Sequence, residues 1–151
     1  MQMKSKQISL DKLDWKILEL LQSNARITNT EIGKRVGLSQ PAVTARIQRL
    51  EEHGVIEGYS AKINLGLTGL HTSAWIRIRT THAQIKQCLH AFAVMPEVIE
   101  AYRITGEDCF VVRVVVTQMP QLEAAIDALA KLGSVSTSVI LASYPPKVIR
   151  P

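Results

Sequence analysis

Pro41, Ala45, Gln48 and Arg49, flanked by Gln40 and Thr44, share one side of the stretch Ser39 to Glu51 if that stretch is helical. Most of these side chains are small or carry an amide or hydroxyl, whereas a helix exposed only for solubility more often presents Glu and Lys. Small residues permit close approach to base edges, and Gln and Thr hydrogen-bond to them, so the chemistry on offer is recognition in a nucleic-acid groove. The helix itself is well specified. Ser39 accepts from the first free amides, Pro41 sits in the first turn, where its missing N–H costs nothing, and Val43, Ile47 and Leu50 supply an apolar stripe at i, i+4 and i+7.

Charge near this stretch is one-sided. Between Ile32 and Leu50 stand Lys34, Arg35, Arg46 and Arg49, and no acid. Lys34, Arg35 and Arg49 suit phosphate contacts, which add affinity and salt dependence without sequence information. Arg46 lies close to the apolar stripe and serves either as a phosphate clamp or as the partner of a carboxylate on the first helix. Base choice then rests on Gln40, Thr44 and Gln48, with Ser39 and Ala45 in close approach.

Other chemistries find little support. His53, His71, His82 and His90 lack the i, i+4 pairing of a helical metal site, and no metal is expected. Cys88 and Cys109 have neither metal nor disulfide spacing and read as small apolar residues in a reducing interior. The polar amino terminus leads into no signal-peptide core, and no run approaches the ~20 apolar residues of a membrane span, so the expected location is the cytoplasm. Residues 1–8 read as a loose basic arm.

The elements that position the groove-facing helix follow from periodicity. Asp11 and Asp14 mark the start of a first helix that buries Leu13, Ile17, Leu20 and Leu21 and runs to about Ser23. Thr28-Asn29-Thr30-Glu31 opens a second, which carries Ile32 and Val36 inward and ends at Gly37. Leu38-Ser39-Gln40 turns the chain into the third, so the order is helix, helix, tight turn, helix: a helix-turn-helix, closed by Gly54.

Val55 to Ile63 reads as a hinge strand, and beyond Gly66, Thr68 and Gly69 the period changes from helical to alternating. Thr72–Arg79 buries Ala74, Ile76 and Ile78; a helix carries Ile85, Leu89, Phe92 and Ala93 inward and stops before Pro96; strands follow at 98–104 and 109–117, a helix from Pro120 to Gly133, and a last strand at 135–141. The expected class is α+β, with a helix-turn-helix domain at 1–54, a hinge at 55–69 and a ferredoxin-like βαββαβ domain at 70–151. Both faces of that sheet are partly apolar, and helices cover only one, so the other is expected to pair with a second copy.

Composition fits this plan. The 151 residues are 46% hydrophobic and 21% charged, enough for two small cores, and the net charge of +5 with a pI near 9.4 suits a polyanionic partner. The excess is spread evenly, ten bases against seven acids up to Lys62 and eight against six beyond it, so only the local cluster discriminates.

Leu13-Asp14 with Ile17-Leu18, Asn24-Ala25-Arg26, Glu31-Ile32, Lys34 to Ser39, Arg46-Ile47 with Arg49-Leu50-Glu51, and Gly54-Val55-Ile56 with Gly58-Tyr59 together resemble the Lrp/AsnC, or feast/famine, regulators. The likeness spans essentially the whole chain, the βαββαβ half being similar to that family's amino-acid-sensing RAM domain. The resemblance implies a homodimer through the sheets that assembles to tetramers or octamers, double-stranded DNA as partner, and a small effector, commonly an amino acid, bound between dimers. It places Ser39, Gln40, Thr44, Ala45, Gln48 and Arg49 at the DNA and no cofactor in the protein. The turn around Gly106, with Tyr102 and Thr105 before it, would line the effector cleft. Cys109 stands where many members carry a carboxylate, leaving Glu107 and Asp108 as the candidates for an effector's ammonium group. Ser136 and Thr137, in the Gly133–Ser138 run, would reach the same ligand from a neighbouring dimer.

The expected function is therefore a sequence-specific transcriptional regulator without catalysis. Siroheme decarboxylases resemble the same architecture and would require His71, His82, Arg77 and Arg103 to converge on a tetrapyrrole. A DNA-organising protein without an effector is the third reading.

Overall fold

The computed structural model describes residues 8–151; residues 1–7, most of the expected basic arm, lie outside the described residues. Two compact units result: one holds the chain through Lys62 together with Pro145–Pro151, the other Ile63–Tyr144. The sequence reading carries the second domain through to Pro151, whereas the structure groups the last seven residues with the helical unit.

The helical unit contains α1 (Lys12–Ser23), α2 (Asn29–Val36) and α3 (Gln40–Glu52). Each start is capped by the residue type its sequence offers. Asp11 accepts from the backbone of Leu13 and Asp14, and the Asp14 carboxylate accepts in return from the Asp11 amide, a reciprocal capping box. Thr28 caps α2 and Ser39 caps α3. The turn between α2 and α3 depends on two glycines for different reasons. Gly37 has φ 75°, a left-handed conformation that ends α2. Gly33 lies under the turn: a Cβ there would sit 2.5 Å from the Leu38 carbonyl oxygen. Ile17, Ile32, Val43 and Ile47 form the core, backed by Leu20, Leu21, Ile27, Val36, Leu38 and Ile56.

Val55 to Ile63 is not a strand. Val55 and Ile56 both donate to the Leu50 carbonyl at the end of α3, and the segment then runs on without a ladder partner among the described residues. An extended sequence becomes a strand only when a neighbour takes its amides and carbonyls. The carboxyl-terminal residues 145–151 return to α1. Gln22 donates from Nε2 to the Ile149 carbonyl (3.1 Å) and accepts from the Ile149 amide at Oε1 (2.9 Å), and Arg150 pairs with Glu19.

The sheet unit follows the order β1 (Thr72–Arg79), α4 (Ile85–Val94), β2 (Val98–Arg103), β3 (Phe110–Val116), α5 (Met119–Ala130), β4 (Ser134–Val139). The strands lie in the order β2-β3-β1-β4, every pair antiparallel, which is the ferredoxin-like arrangement. Ala74, Ile76 and Ile78 of β1 and Phe110, Val112, Val114 and Val116 of β3 face the helices, which contribute Cys88, Phe92, Leu122, Ala125 and Leu129 to one apolar core.

Two expectations are corrected here. α4 turns Cys88 inward with Phe92, while Leu89 is 53% exposed and Ala93 is also outside, because the inward face follows 85, 88 and 92 rather than 85, 89, 92 and 93. α5 ends at Ala130, before Gly133, which has no left-handed φ. Gly133 is small for another reason: a Cβ would lie 2.2 Å from the Arg79 carbonyl oxygen at the β1–β4 pairing.

Candidate nucleic-acid interface and effector turn

The exposed side of α3 carries amides, a hydroxyl and, at its end, the Glu52 carboxylate, and it is internally organised. Thr44 donates its hydroxyl to the Gln40 carbonyl (3.0 Å) and accepts from Gln40 Nε2 (3.0 Å) and from Asn29 Nδ2 (2.9 Å). A hydroxyl has one donor and two acceptor sites, so this one is saturated. Every hydrogen-bonding site of the Thr44 hydroxyl is thus engaged within the protein. Gln48 donates to Glu52 (2.8 Å), which orients a second amide on the same side. Ser39 accepts from the Ala42 amide (3.4 Å) as the cap, and Ala45 is exposed between the amides.

The basic residues divide into two sets. Lys34 and Arg35 are exposed on α2, Arg35 in an i, i+4 pair with Glu31 at 2.9 Å. Arg46 and Arg49 instead turn to α1. Arg46 Nη1 lies 2.8 Å from both Asp11 Oδ2 and Asp14 Oδ1, and Arg49 Nη2 lies 2.6 Å from Asp14 Oδ2. Asp14 has no exposed surface, and leaving its charge unpaired there would be costly. For Arg46 this selects the intramolecular partner over the phosphate clamp. Arg49, whose side chain stays 41% exposed, helps to compensate the same buried carboxylate.

The same cluster shifts protonation. Asp11 is held below the usual carboxylate value of 3.8 by the Asp14 amide and then by Arg46, while Arg46 is raised by Asp11 and Asp14. Near the end of α3, Tyr59 donates to Glu51 (2.8 Å), and desolvation with that carboxylate pushes its phenol up to about 12.

In the sheet unit the candidate effector residues fall on one face and one turn, with an exception. The uncovered face carries two cross-strand rows, Glu100-Arg113-Trp75-Ser138 and Tyr102-Val111-Arg77-Ser136. Tyr102 stands 6.4 Å from Trp75, ring to ring, and donates to Glu100 (3.0 Å), which raises its phenol. Thr137 pairs with Ile76 and so lies on the helix-covered side, half-buried, away from Tyr102 and Ser136. Thr105, Gly106 and Glu107 are exposed in the turn, where Gly106 has φ 110°. Both candidate carboxylates meet arginines of β1. Glu107 pairs with Arg79, and Asp108 lies 3.9 Å from Arg77, beyond hydrogen-bond length. Asp108 is the more enclosed of the two, its side chain 31% exposed against 82% for Glu107.

The residues of the tetrapyrrole reading are not gathered. Arg77 and Arg103 fall on opposite faces of the sheet, since Arg77 pairs with Val111 and Arg103 with Phe110. His71 and His82 are exposed. A cleft of about 730 Å³ in the helical unit, between Trp15, Leu18 and Leu21 of α1 and Val55 to Tyr59, contains none of the four. Burial pushes the Cys88 thiol up, as expected of a core residue, while Cys109 is half-buried and donates to the Thr80 carbonyl (3.2 Å). Among the described residues no group of three or more His, Cys, Asp or Glu could hold a metal ion, and no helix is long and apolar enough to cross a membrane.

Periodicity exposes neither Asn29 as a partner of Thr44 nor Asp14 as a buried anion. Both make their bonds across gaps of fifteen residues or more.

Known proteins share both halves of this arrangement. Residues 10–57 match the family profile of winged helix-turn-helix DNA-binding domains, and residues 73–147 that of the Lrp/AsnC ligand binding domain. The chain is 41% identical over 137 residues to the uncharacterized HTH-type transcriptional regulator YezC of Bacillus subtilis, covering 89% of this chain and 95% of that one. It is 35% identical over 134 residues to the leucine-responsive regulatory protein of Rhizobium meliloti, 86% of each chain. Among solved structures, B. subtilis LrpC superposes with a TM-score of 0.87 at 26% identity, over 93% of this chain and all of that one. The transcriptional regulator NMB0573 of Neisseria meningitidis, in complex with L-Met, gives 0.85 at 29% identity, over 95% and 97%. A groove-sized neutral helix on one unit and a ferredoxin-like sheet on the other, matched along nearly their whole length by these regulators, place the chain in the Lrp/AsnC family of DNA-binding transcriptional regulators with a ligand-binding domain.

Proposed function

We propose that α3 enters the major groove with Gln40, Gln48 and the Thr44 methyl toward base edges, Ser39 and Ala45 in close approach, and Lys34 and Arg35 on flanking phosphates. The observation that carries this reading is the exposed, amide-bearing, hydrogen-bonded side of α3, where the nearby arginines are paired with Asp14. Pairing of two copies through the uncovered sheet face, where Trp75, Tyr102 and Val111 lie together, doubles the recognition helix and calls for a two-fold related operator. Electrophoretic titration of the duplex upstream of the chain's own coding region is the direct test. Binding at least tenfold tighter than to random duplex at equal salt is expected, and equal affinity would refute base reading.

The effector in this reading is an amino acid. Its ammonium group faces Asp108, the enclosed and loosely held carboxylate, rather than Glu107, which Arg79 engages. The L-Met complex of a structural neighbour and the ligand-binding profile support this chemistry. Differential affinity for two assembly states would then change DNA binding by linkage. A thermal-shift screen of the common amino acids should find one that raises the midpoint of the wild type and of Glu107→Gln but not of Asp108→Asn. No shift with any of them would leave an effector-independent DNA-organising protein.

A further inference from the structure

Gln40 begins α3 and Asn29 begins α2, and the Thr44 hydroxyl joins them. Because Thr44 gives its proton to the Gln40 carbonyl, both of its acceptor sites are open to side-chain amides, and Asn29 Nδ2 and Gln40 Nε2 take one each. The Gln40 amide is thus turned so that one Nε2 hydrogen points at the Thr44 oxygen. Its second Nε2 hydrogen and its Oε1 are left as a donor and an acceptor side by side. That pair matches adenine in the major groove, whose N7 accepts and whose N6 amine donates; guanine, with two acceptors, does not fit it.

We propose that Asn29 is a positioning residue of the DNA interface, which fixes the Gln40 amide through the Thr44 hydroxyl and so sets a preference for adenine under the first turn of α3. The inference rests on the DNA-docking reading above and adds a residue from α2 to the specificity of α3. Without the Asn29 bond the hydroxyl regains an acceptor site, and Thr44 and Gln40 can exchange partners. The Gln40 amide then samples both orientations, and adenine loses its advantage.

Selection of the full-length chain on a random-sequence duplex library, followed by titration of the selected duplex and its single-base variants, tests this. Asn29→Ala should lower the adenine preference at one symmetric pair of positions about tenfold, with the slope of affinity against salt and the melting midpoint unchanged. Thr44→Val, which keeps the methyl group and puts a second one in place of the hydroxyl, should do the same. The double variant should lose no more than either single one, as coupled residues do. Wild-type preference retained in Asn29→Ala would overturn the inference and leave base reading by α3 intact. A uniform loss with a shallower salt slope would also overturn it, making Asn29 a phosphate contact. A wild-type chain that selects no sequence would refute the DNA-docking reading and this inference with it.

Discussion

The two cores are bounded by different kinds of group. In the sheet unit the space between helices and strands is filled by apolar side chains, with Phe92 and Phe110 edge to face at 5.2 Å. In the helical unit four buried aliphatic residues are accompanied by a fully enclosed carboxylate, Asp14, that binds two arginines of the recognition helix. Three short helices present little area to bury, so the angle between α1 and α3 is set by directional charge-assisted bonds as well as by packing. The arrangement has a second effect. Charges that would have dominated the DNA-facing side are neutralised, and the neutral amides are left to make distinctions that a guanidinium on phosphate cannot.

Each unit holds one of the two tryptophans, Trp15 in α1 and Trp75 in β1, so single-tryptophan variants can follow the cores separately. The largest effect is expected from Phe110→Ala, about 4 kcal/mol in the denaturant transition reported by Trp75, as a cavity opens in an apolar core. Next comes Asp14→Ala, about 3 kcal/mol in the transition reported by Trp15, because Arg49 loses its partner, Arg46 is left with Asp11 alone and the reciprocal cap of α1 opens. A loss under about 1 kcal/mol would reduce the cluster to an ordinary surface ion pair and erase the contrast between the cores. The smallest effect is electrostatic. Asp11 has its folded pKa below 3.8, so its contribution is present above that value and fades as the pH falls through the lower folded one. Acid titration should therefore weaken the Trp15 transition, and Asp11→Asn should flatten that dependence; an unchanged slope would remove Asp11 from the clamp.

Much of the fold was legible because local rules and packing agree. The caps at Asp11, Thr28 and Ser39, the stripe Val43-Ile47-Leu50 and the alternation Ala74-Ile76-Ile78 each depend on neighbours within a few residues. The misses have a common physical origin. Cys88 and Leu89 are adjacent on α4, and only the facing sheet decides which of them is enclosed. Thr137 and Ser136 are adjacent on β4, and the register with Ile76 and Arg77 decides their sides. The recognition face was legible as a set of residue types but not as a network. A window free of acids in sequence is not free of them in space, since Asp11 and Asp14 approach from more than thirty residues away.

The clasp of Gln22 on the Ile149 backbone bears on how the protein is made. Residues 145–151 leave the ribosome after the whole sheet unit has been synthesised, so the helical unit acquires this piece of its surface late. Nascent chains stalled anywhere before Pro145 would carry α1 with its Gln22 amide facing water.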